Sequence, residues 1–299
     1  MNTRRDFLKH SAATAAALSM PWAIVARAQE QLPRRTIPGT DEGLPIIGQG
    51  NARVFLEGDL DTARELMEIL REHGGSYMDC IFNARNTVAR IIGDLDAPDD
   101  FFMAAYVMGE TEEESRKEIA DLLEMSGKES IDLIHAWNEY AVPNWDLMRG
   151  WKDEGLARYI GVSRNHQKHY DDIIKLMETG TVDIVQVNYS AFETEADNRI
   201  LPMAMDKGIA VTINRPFLNG EYFSRVSGQE LPAWAADFDC HSWAQFSLKY
   251  ILSHPAVTCV IAETSDPEHA VDNIGAGFGR MPDEGERRRI AAFLAELPA

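Results

Sequence analysis

The chain has 299 residues, with 29 Lys plus Arg against 48 Asp plus Glu, a formal net charge of −19 at pH 7. Such acidity repels phosphate backbones and anionic lipid surfaces, which argues against nucleic acid as a partner and fits solubility in an extracytoplasmic or salty medium. A hydrophobic share of 45% can fill one large core or two small ones, and the order of the elements decides between them.

The N-terminus comes first. Thr3-Arg4-Arg5-Asp6-Phe7-Leu8-Lys9 has the twin-arginine export pattern, two arginines ahead of an apolar pair. An Ala-rich run from Ser11 to Val25 follows, and Ala26-Arg27-Ala28 supplies a small-x-small cleavage site. The run is too short and too Ala-rich for a spanning helix of roughly 20 residues, and no other stretch is long and apolar enough. Residues 1–28 therefore read as a twin-arginine signal peptide and residues 29–299 as the mature, periplasmic domain. That route carries folded proteins, so a cofactor or metal could be loaded before export. Removing residues 1–28 takes away Arg4, Arg5, Lys9, Arg27 and the single acid Asp6, leaving 25 basic against 47 acidic residues, a net −22. No Asp/Asn/Gly loop of calcium type accompanies this acidity.

Strand-like apolar runs then alternate with amphipathic stretches. Pro45–Gly48 begins the series, and a helix over 61–72 gathers Leu66, Met67, Ile69 and Leu70 on one side. Ser76–Cys80 precedes a helix over 87–95, and Phe102–Val107 precedes the acidic helix 112–125. Ile131–Trp137, Tyr159–Val162 and Ile184–Asn188 precede helices over 145–154, 169–178 and 195–206. Ile209–Asn214 and Val257–Ile261 precede helices over 241–253 and 267–275, and a last helix spans 284–297. Gly74-Gly75, Gly127, Gly155, Gly180 and Gly208 stand at helix ends, where a left-handed cap is favoured. Eight βα units in one chain of this length predict an α/β fold, a (β/α)8 TIM barrel with its working residues at the C-terminal strand ends. The doubly wound alternative lacks a GxGxxG after its first strand.

Cys80, Cys240 and Cys259 form no even disulfide framework and no CxxC. Cys80 and Cys259, in predicted strands, read as small core residues, and the 12 methionines, Met1 apart, as core filling. A metal site built on Asp79, Cys80 and histidines is the weakest reading. No two His or Cys lie at ligand spacing except the adjacent Cys240-His241, so no metal is expected.

From Asp183 to Asn273 the sequence resembles the last third of an aldo/keto reductase barrel. Gln186-Val187-Asn188-Tyr189-Ser190, Asn214-Arg215-Pro216-Phe217, Trp243-Ala244-Gln245, Leu248-Lys249-Tyr250 and Thr264 through Asn273 carry the resemblance. It implies an aldo/keto reductase-like barrel in which an Asp, a Tyr, a Lys and a His surround the reacting carbonyl. Asp79 in Gly74-Gly75-Ser76-Tyr77-Met78-Asp79-Cys80 matches the Asp at the end of the second strand. The Tyr expected five residues later is Ala84, and no Tyr occurs in Ile81-Phe82-Asn83-Ala84-Arg85-Asn86. The third strand places Tyr106 where the resemblance implies Lys. Ile131-Asp132-Leu133-Ile134-His135-Ala136-Trp137 places Trp137 where it implies His. His135 lies two residues earlier, one layer deeper on the same strand face, and reads as a satisfied interior histidine.

These changes are not conservative, since carbonyl reduction needs a proton donor tuned by a neighbouring cation. Tyr106 is the candidate for a displaced acid beside Asp79. Without Lys or His nearby its pKa is not expected to fall, and Asp79 loses the partner that would keep it ionised. Tyr106 and Trp137 together suit stacking or sugar binding.

By the same resemblance, Ser163 and Gln186 would hold a nicotinamide carboxamide, with Arg164 in place of the usual Asn. Asn214 replaces the stacking aromatic, and Asp272-Asn273 matches an adenine-binding pair. The loop that implies a grip on the 2′-phosphate of NADP reads Ile261-Ala262-Glu263-Thr264-Ser265-Asp266, whose two carboxylates would repel it. NADP is therefore disfavoured, and NAD or no nucleotide stays open. Glu263 and Asp266 are also expected to satisfy the helix N-terminal amides near Pro267.

Two classes of function follow. One is an exported ligand-binding or accessory protein that recognises a small molecule or another periplasmic protein. The other is a nicotinamide-dependent oxidoreductase with a rewired site built on Asp79 and Tyr106. Export weighs against the second, because each turnover would need a hydride acceptor outside the cytoplasm. The missing proton donor favours the first.

Overall fold

The computed structural model describes residues 31–137 and 142–297. The export segment over 1–28 lies outside the described residues. A two-stranded antiparallel hairpin, β1 (Arg34–Thr36) and β2 (Gly43–Pro45), opens the fold. Eight parallel strands then close a barrel. They are β3 (Ile47–Gln49), β4 (Tyr77–Cys80), β5 (Phe102–Tyr106), β6 (Ile131–Ala136), β7 (Ala157–Ser163), β8 (Ile184–Asn188), β9 (Ala210–Asn214) and β10 (Cys259–Ala262), with β10 returning to β3. The fold is a (β/α)8 TIM barrel.

The hairpin corrects the first expected strand. Gly43–Pro45 pairs back onto β1, Ile46 turns the chain, and only Ile47–Gln49 enters the barrel. Its purpose is visible in the packing. Ile37 and Leu44 join Tyr77, Phe102, Leu133, Tyr159, Ile184, Ala210 and Cys259, most of them near the N-terminal ends of barrel strands, in one inner cluster. The hairpin plugs that end of the barrel, and each of its two aliphatic side chains contributes about 2 kcal/mol of burial. Arg35 pins it by donating to the Leu252 carbonyl at 2.6 Å and to the Val257 carbonyl.

Between the strands the amphipathic stretches form the outer ring. Helix Leu60–Glu72 buries Ala63, Leu66, Met67 and Leu70, and Asp59 caps it by accepting from the Thr62 amide at 3.3 Å. Helix Glu112–Ser126 begins with a reciprocal cap between Thr111 and Glu114, worth about 1 kcal/mol, and ends at Gly127 in the left-handed region. The single helix expected over 195–206 is instead a 3-10 turn, Glu195–Asn198, and a helix, Ile200–Lys207, broken at Arg199. Pro202 explains where the second piece starts, since a residue without an amide proton is tolerated only in a first helical turn. The three cysteines are free and buried, and Cys259 fills the inner cluster. Among the described residues no helix is long and apolar enough to cross a membrane.

Candidate ligand site

Strand alternation sends every second residue inward, so one layer above the plug the barrel interior turns polar. Asp79 follows Tyr77 on β4, Tyr106 follows Ala104 on β5, Ser163 ends β7, and Gln186 sits mid-way along β8. The Tyr106 hydroxyl donates toward Asp79 Oδ1 at 3.1 Å and lies 3.0 Å from Ser163 Oγ and in contact with Gln186 Oε1. Gln186 Nε2 donates to Asp79 Oδ1 at 3.0 Å, and Asn51 Nδ2 donates to Asp79 Oδ2 at 2.8 Å. Asn51 Oδ1 accepts from the Ile81 amide at 2.6 Å, which fixes the amide orientation.

Burial sets the protonation of this network. Asp79 is 5% exposed, and desolvation pushes its carboxyl up to about 7 against the hydrogen bonds from Gln186, Tyr106 and Asn51. Burial, with the Asp79 charge adding to it, holds the Tyr106 phenol well above its ordinary value. Tyr106 therefore stays neutral, with its one proton committed inside the network.

His135 lies beneath Tyr106, ring centroids 5.0 Å apart, and is fully buried. Neither ring nitrogen has a hydrogen-bond partner, which corrects the expectation of a satisfied histidine. Burial pushes it down to about 3, so it is neutral. Gly161 on β7 leaves it room, since a Cβ there would come within 2.9 Å of Nδ1.

Above the network opens a cavity of about 270 Å³ at the C-terminal end of the barrel. Asp79, Tyr106, Trp137, Ser163 and Asn214 all line it. Gln186, behind them, does not, because its amide is turned into the network. Trp137 follows the last residue of β6 and meets Phe82 edge-on, centroids 5.9 Å apart at 84°. Phe82 is 51% exposed and has φ 51, a strained backbone that projects its ring over the cavity mouth. Arg215, also left-handed at φ 51, lines the far wall, with Nη1 on the Asn165 carbonyl at 2.8 Å and Nη2 3.7 Å from Glu193. Asn51, Phe82 and Arg215 line the site as well, and none of them was expected there from the sequence. Of these only Arg215 carried a signal, since it stands in the Asn214-Arg215-Pro216-Phe217 stretch that bears the family resemblance.

A second cavity, about 350 Å³, lies beside the first and is lined by Phe217, Phe223, Trp243, Asp272 and Asn273, among others. Asp272 is already engaged, accepting from Ser242 Oγ at 2.6 Å and from Gln245 Nε2 at 2.8 Å. The two cavities share one lining residue, Glu263. This corrects the expectation that Glu263 caps the following helix. Asp266 does so instead, accepting from the Glu268 and His269 amides at 2.8 and 3.3 Å. At the junction, desolvation raises the Glu263 carboxyl above its usual range, opposed by a bond to the Asn51 backbone.

Residues 47–288 match the model of the aldo/keto reductase family. The chain belongs to the aldo/keto reductase family. Residues 1–21 match the twin-arginine translocation signal sequence, so this family member carries an export signal for that pathway. The NADH-specific methylglyoxal reductase of Escherichia coli K12 is 28% identical over 131 residues, covering 41% of this chain and 39% of that relative's length. Among solved structures, an aldo/keto reductase from Klebsiella pneumoniae in complex with NADP and acetate superposes with a TM-score of 0.69 at 17% identity, covering 88% of this chain and 96% of its own. The holo form of an aldo-keto reductase from Bacillus halodurans gives 0.71 at 18% identity, with the same coverages. At these identities the likeness establishes the barrel alone.

The family resemblance implies a nicotinamide nucleotide, and these residues do not fit its phosphates. A dinucleotide reaching from Ser163 to Asn273 would have to pass Glu263. Among the described residues no Lys or Arg lines the second cavity, and the nearby helix N-terminus is filled by Asp266.

Proposed function

We propose that this exported aldo/keto reductase-like protein has lost conventional NADPH-dependent carbonyl reduction and acts in the periplasm as a ligand-binding or accessory protein. Its mature form is taken to begin after Ala28, as one barrel over residues 29–299. The observation that carries the reading is the state of Tyr106. A general acid needs a proton facing the reacting oxygen and a pKa near the working pH. The Tyr106 proton is directed toward Asp79 or Gln186, the phenol is pushed up rather than down, and among the described residues no Lys or His lines the cavity.

What remains suits recognition of a small polar molecule. Asn51, Asn165 and Asn214 offer amides, Asp79 and Glu263 offer acceptors, and Trp137 with Phe82 offers an aromatic wall. On this reading Asp79, Tyr106 and Trp137 hold a ligand, Ser163 and Asn214 flank it, and Gln186 positions Asp79 and Tyr106. Asp272 and Asn273 belong to the second cavity and shape its floor.

Native mass spectrometry of the protein purified from the periplasm tests this directly. A copurifying small organic molecule, retained by wild type and lost in Trp137→Ala, is expected. A stoichiometric nicotinamide nucleotide would overturn the reading and restore a rewired oxidoreductase.

A further inference from the structure

The second cavity has a composition that the first does not. Phe217 and Phe223 stand against each other, ring centroids 4.9 Å apart at 45°. Trp243 forms another wall, held by stacking on Phe293 at 6.3 Å and 17° and by its indole N–H on the Gln229 carbonyl at 3.2 Å. Phe217 is buried and Phe223 is 42% exposed, so the aromatic surface runs from the interior to the rim. The turn that places them is tightly coiled, with Leu218 and Asn219 left-handed at φ 54 and 55.

The charged side chains on this cavity are acidic. Glu263 stands at its junction with the first cavity, and Asp272 lies on its floor, fixed by Ser242 and Gln245. Among the described residues the lining contains no Lys or Arg, and His269 is the basic side chain present. Three aromatic rings and a carboxylate around one space form the arrangement that attracts a desolvated organic cation through ring quadrupoles and a counter-charge. The chain's net charge of −19 draws cations toward the surface and repels phosphates.

We propose that the cavity walled by Phe217, Phe223 and Trp243 binds an organic cation, a quaternary ammonium or protonated amine, with Glu263 as its counter-charge. The site adjoins the Asp79–Tyr106 cavity, with which it shares Glu263, but its aromatic walls belong to it alone, so it stands whether the first cavity binds or catalyses.

The experiment is calorimetric titration of the purified mature protein with choline and with benzyltrimethylammonium, against the uncharged isostere 3,3-dimethylbutan-1-ol. At least one cation is expected to bind with a dissociation constant of about 1 mM or tighter, and the isostere at least tenfold more weakly. Glu263→Gln, which keeps the side-chain shape, and Phe223→Ala, at an exposed position, should each weaken the cation at least fivefold with an unchanged circular dichroism spectrum. Trp137→Ala, in the first cavity, should leave cation affinity unaltered. The proposal is overturned if neither cation binds, if the isostere binds as tightly, or if Trp137→Ala removes binding while Phe223→Ala does not. Displacement of the cation by AMP at equal concentration would also contradict it, since the site would then accept phosphate.

Discussion

The hydroxyl of Tyr106 lies 3.1 Å from Asp79 Oδ1, buried at the base of the inner cavity. The third barrel strand thus supplies a neutral donor where the family resemblance implied a cation. A phenol satisfies the carboxylate's hydrogen bonding without stabilising its charge through a full positive neighbour, so burial dominates and Asp79 titrates near 7. The same exchange leaves Tyr106 harder to ionise.

Asp79 gives the chain a specific pH dependence. Its carboxyl rises from 3.8 to about 7 on folding, so the native state holds a proton that the unfolded chain releases earlier. Stability from this group is full below about pH 4 and declines as pH rises toward 7, by about 4 kcal/mol on linkage arithmetic. Thermal melts of wild type and Asp79→Asn from pH 4.5 to 8 should show the variant gaining on wild type as pH rises. A difference in melting temperature that stays constant across that range would contradict the assignment.

His135 works in the opposite direction. Its folded value near 3 lies below the ordinary 6.5, so the stability it permits is present above pH 6.5 and is lost as the solution is acidified. An unpartnered buried imidazole also forgoes about 1 kcal/mol or more of hydrogen bonding. His135→Leu, similar in size and free of polar atoms, should raise the melting temperature, and by more at pH 5 than at pH 8. A lower melting temperature at both would show that the ring nitrogens are satisfied in solution.

Phosphorylated nucleotides should bind poorly. Glu263 sits where the two cavities meet, and Asp266 occupies the helix N-terminus beyond it. Fluorescence titration with NADPH should give no saturable signal in the micromolar range. A dissociation constant near 1 μM, about −8 kcal/mol, would mean that the carboxylates swing away from the nucleotide.

The barrel was legible in the sequence because its strands are short apolar runs between capped amphipathic helices, and Gly74, Gly127, Gly155, Gly180 and Gly208 adopt the left-handed backbone expected of them, while Gly75 does not. The β1–β2 hairpin was not, since three-residue strands carry no periodicity and Pro45 read as the start of the first barrel strand. At the site, Asp79, Tyr106 and Trp137 were singled out by the family resemblance, which assigns roles to the residues at three neighbouring strand ends. Asn51, Phe82 and Arg215 escaped because they lie on loops, where no period says which way a side chain faces. Gln186 was visible, but its commitment to Asp79 depends on a contact between strands distant in sequence.

Export rests on Arg4 and Arg5 ahead of Phe7-Leu8, within the stretch that matches the twin-arginine signal. Replacing both arginines by Lys should leave the precursor in the cytoplasm on fractionation. Normal periplasmic accumulation of the double variant would show that another signal directs it.

The most direct test of lost reductase chemistry is turnover of a broad panel of aldehydes, ketones and alcohols with NADH, NADPH and their oxidised forms. Wild type is expected to show no rate above the protein-free background, and Tyr106→Phe no change from it. Robust turnover that drops by about 10² to 10⁴ in Tyr106→Phe would identify Tyr106 as a working general acid and contradict the account.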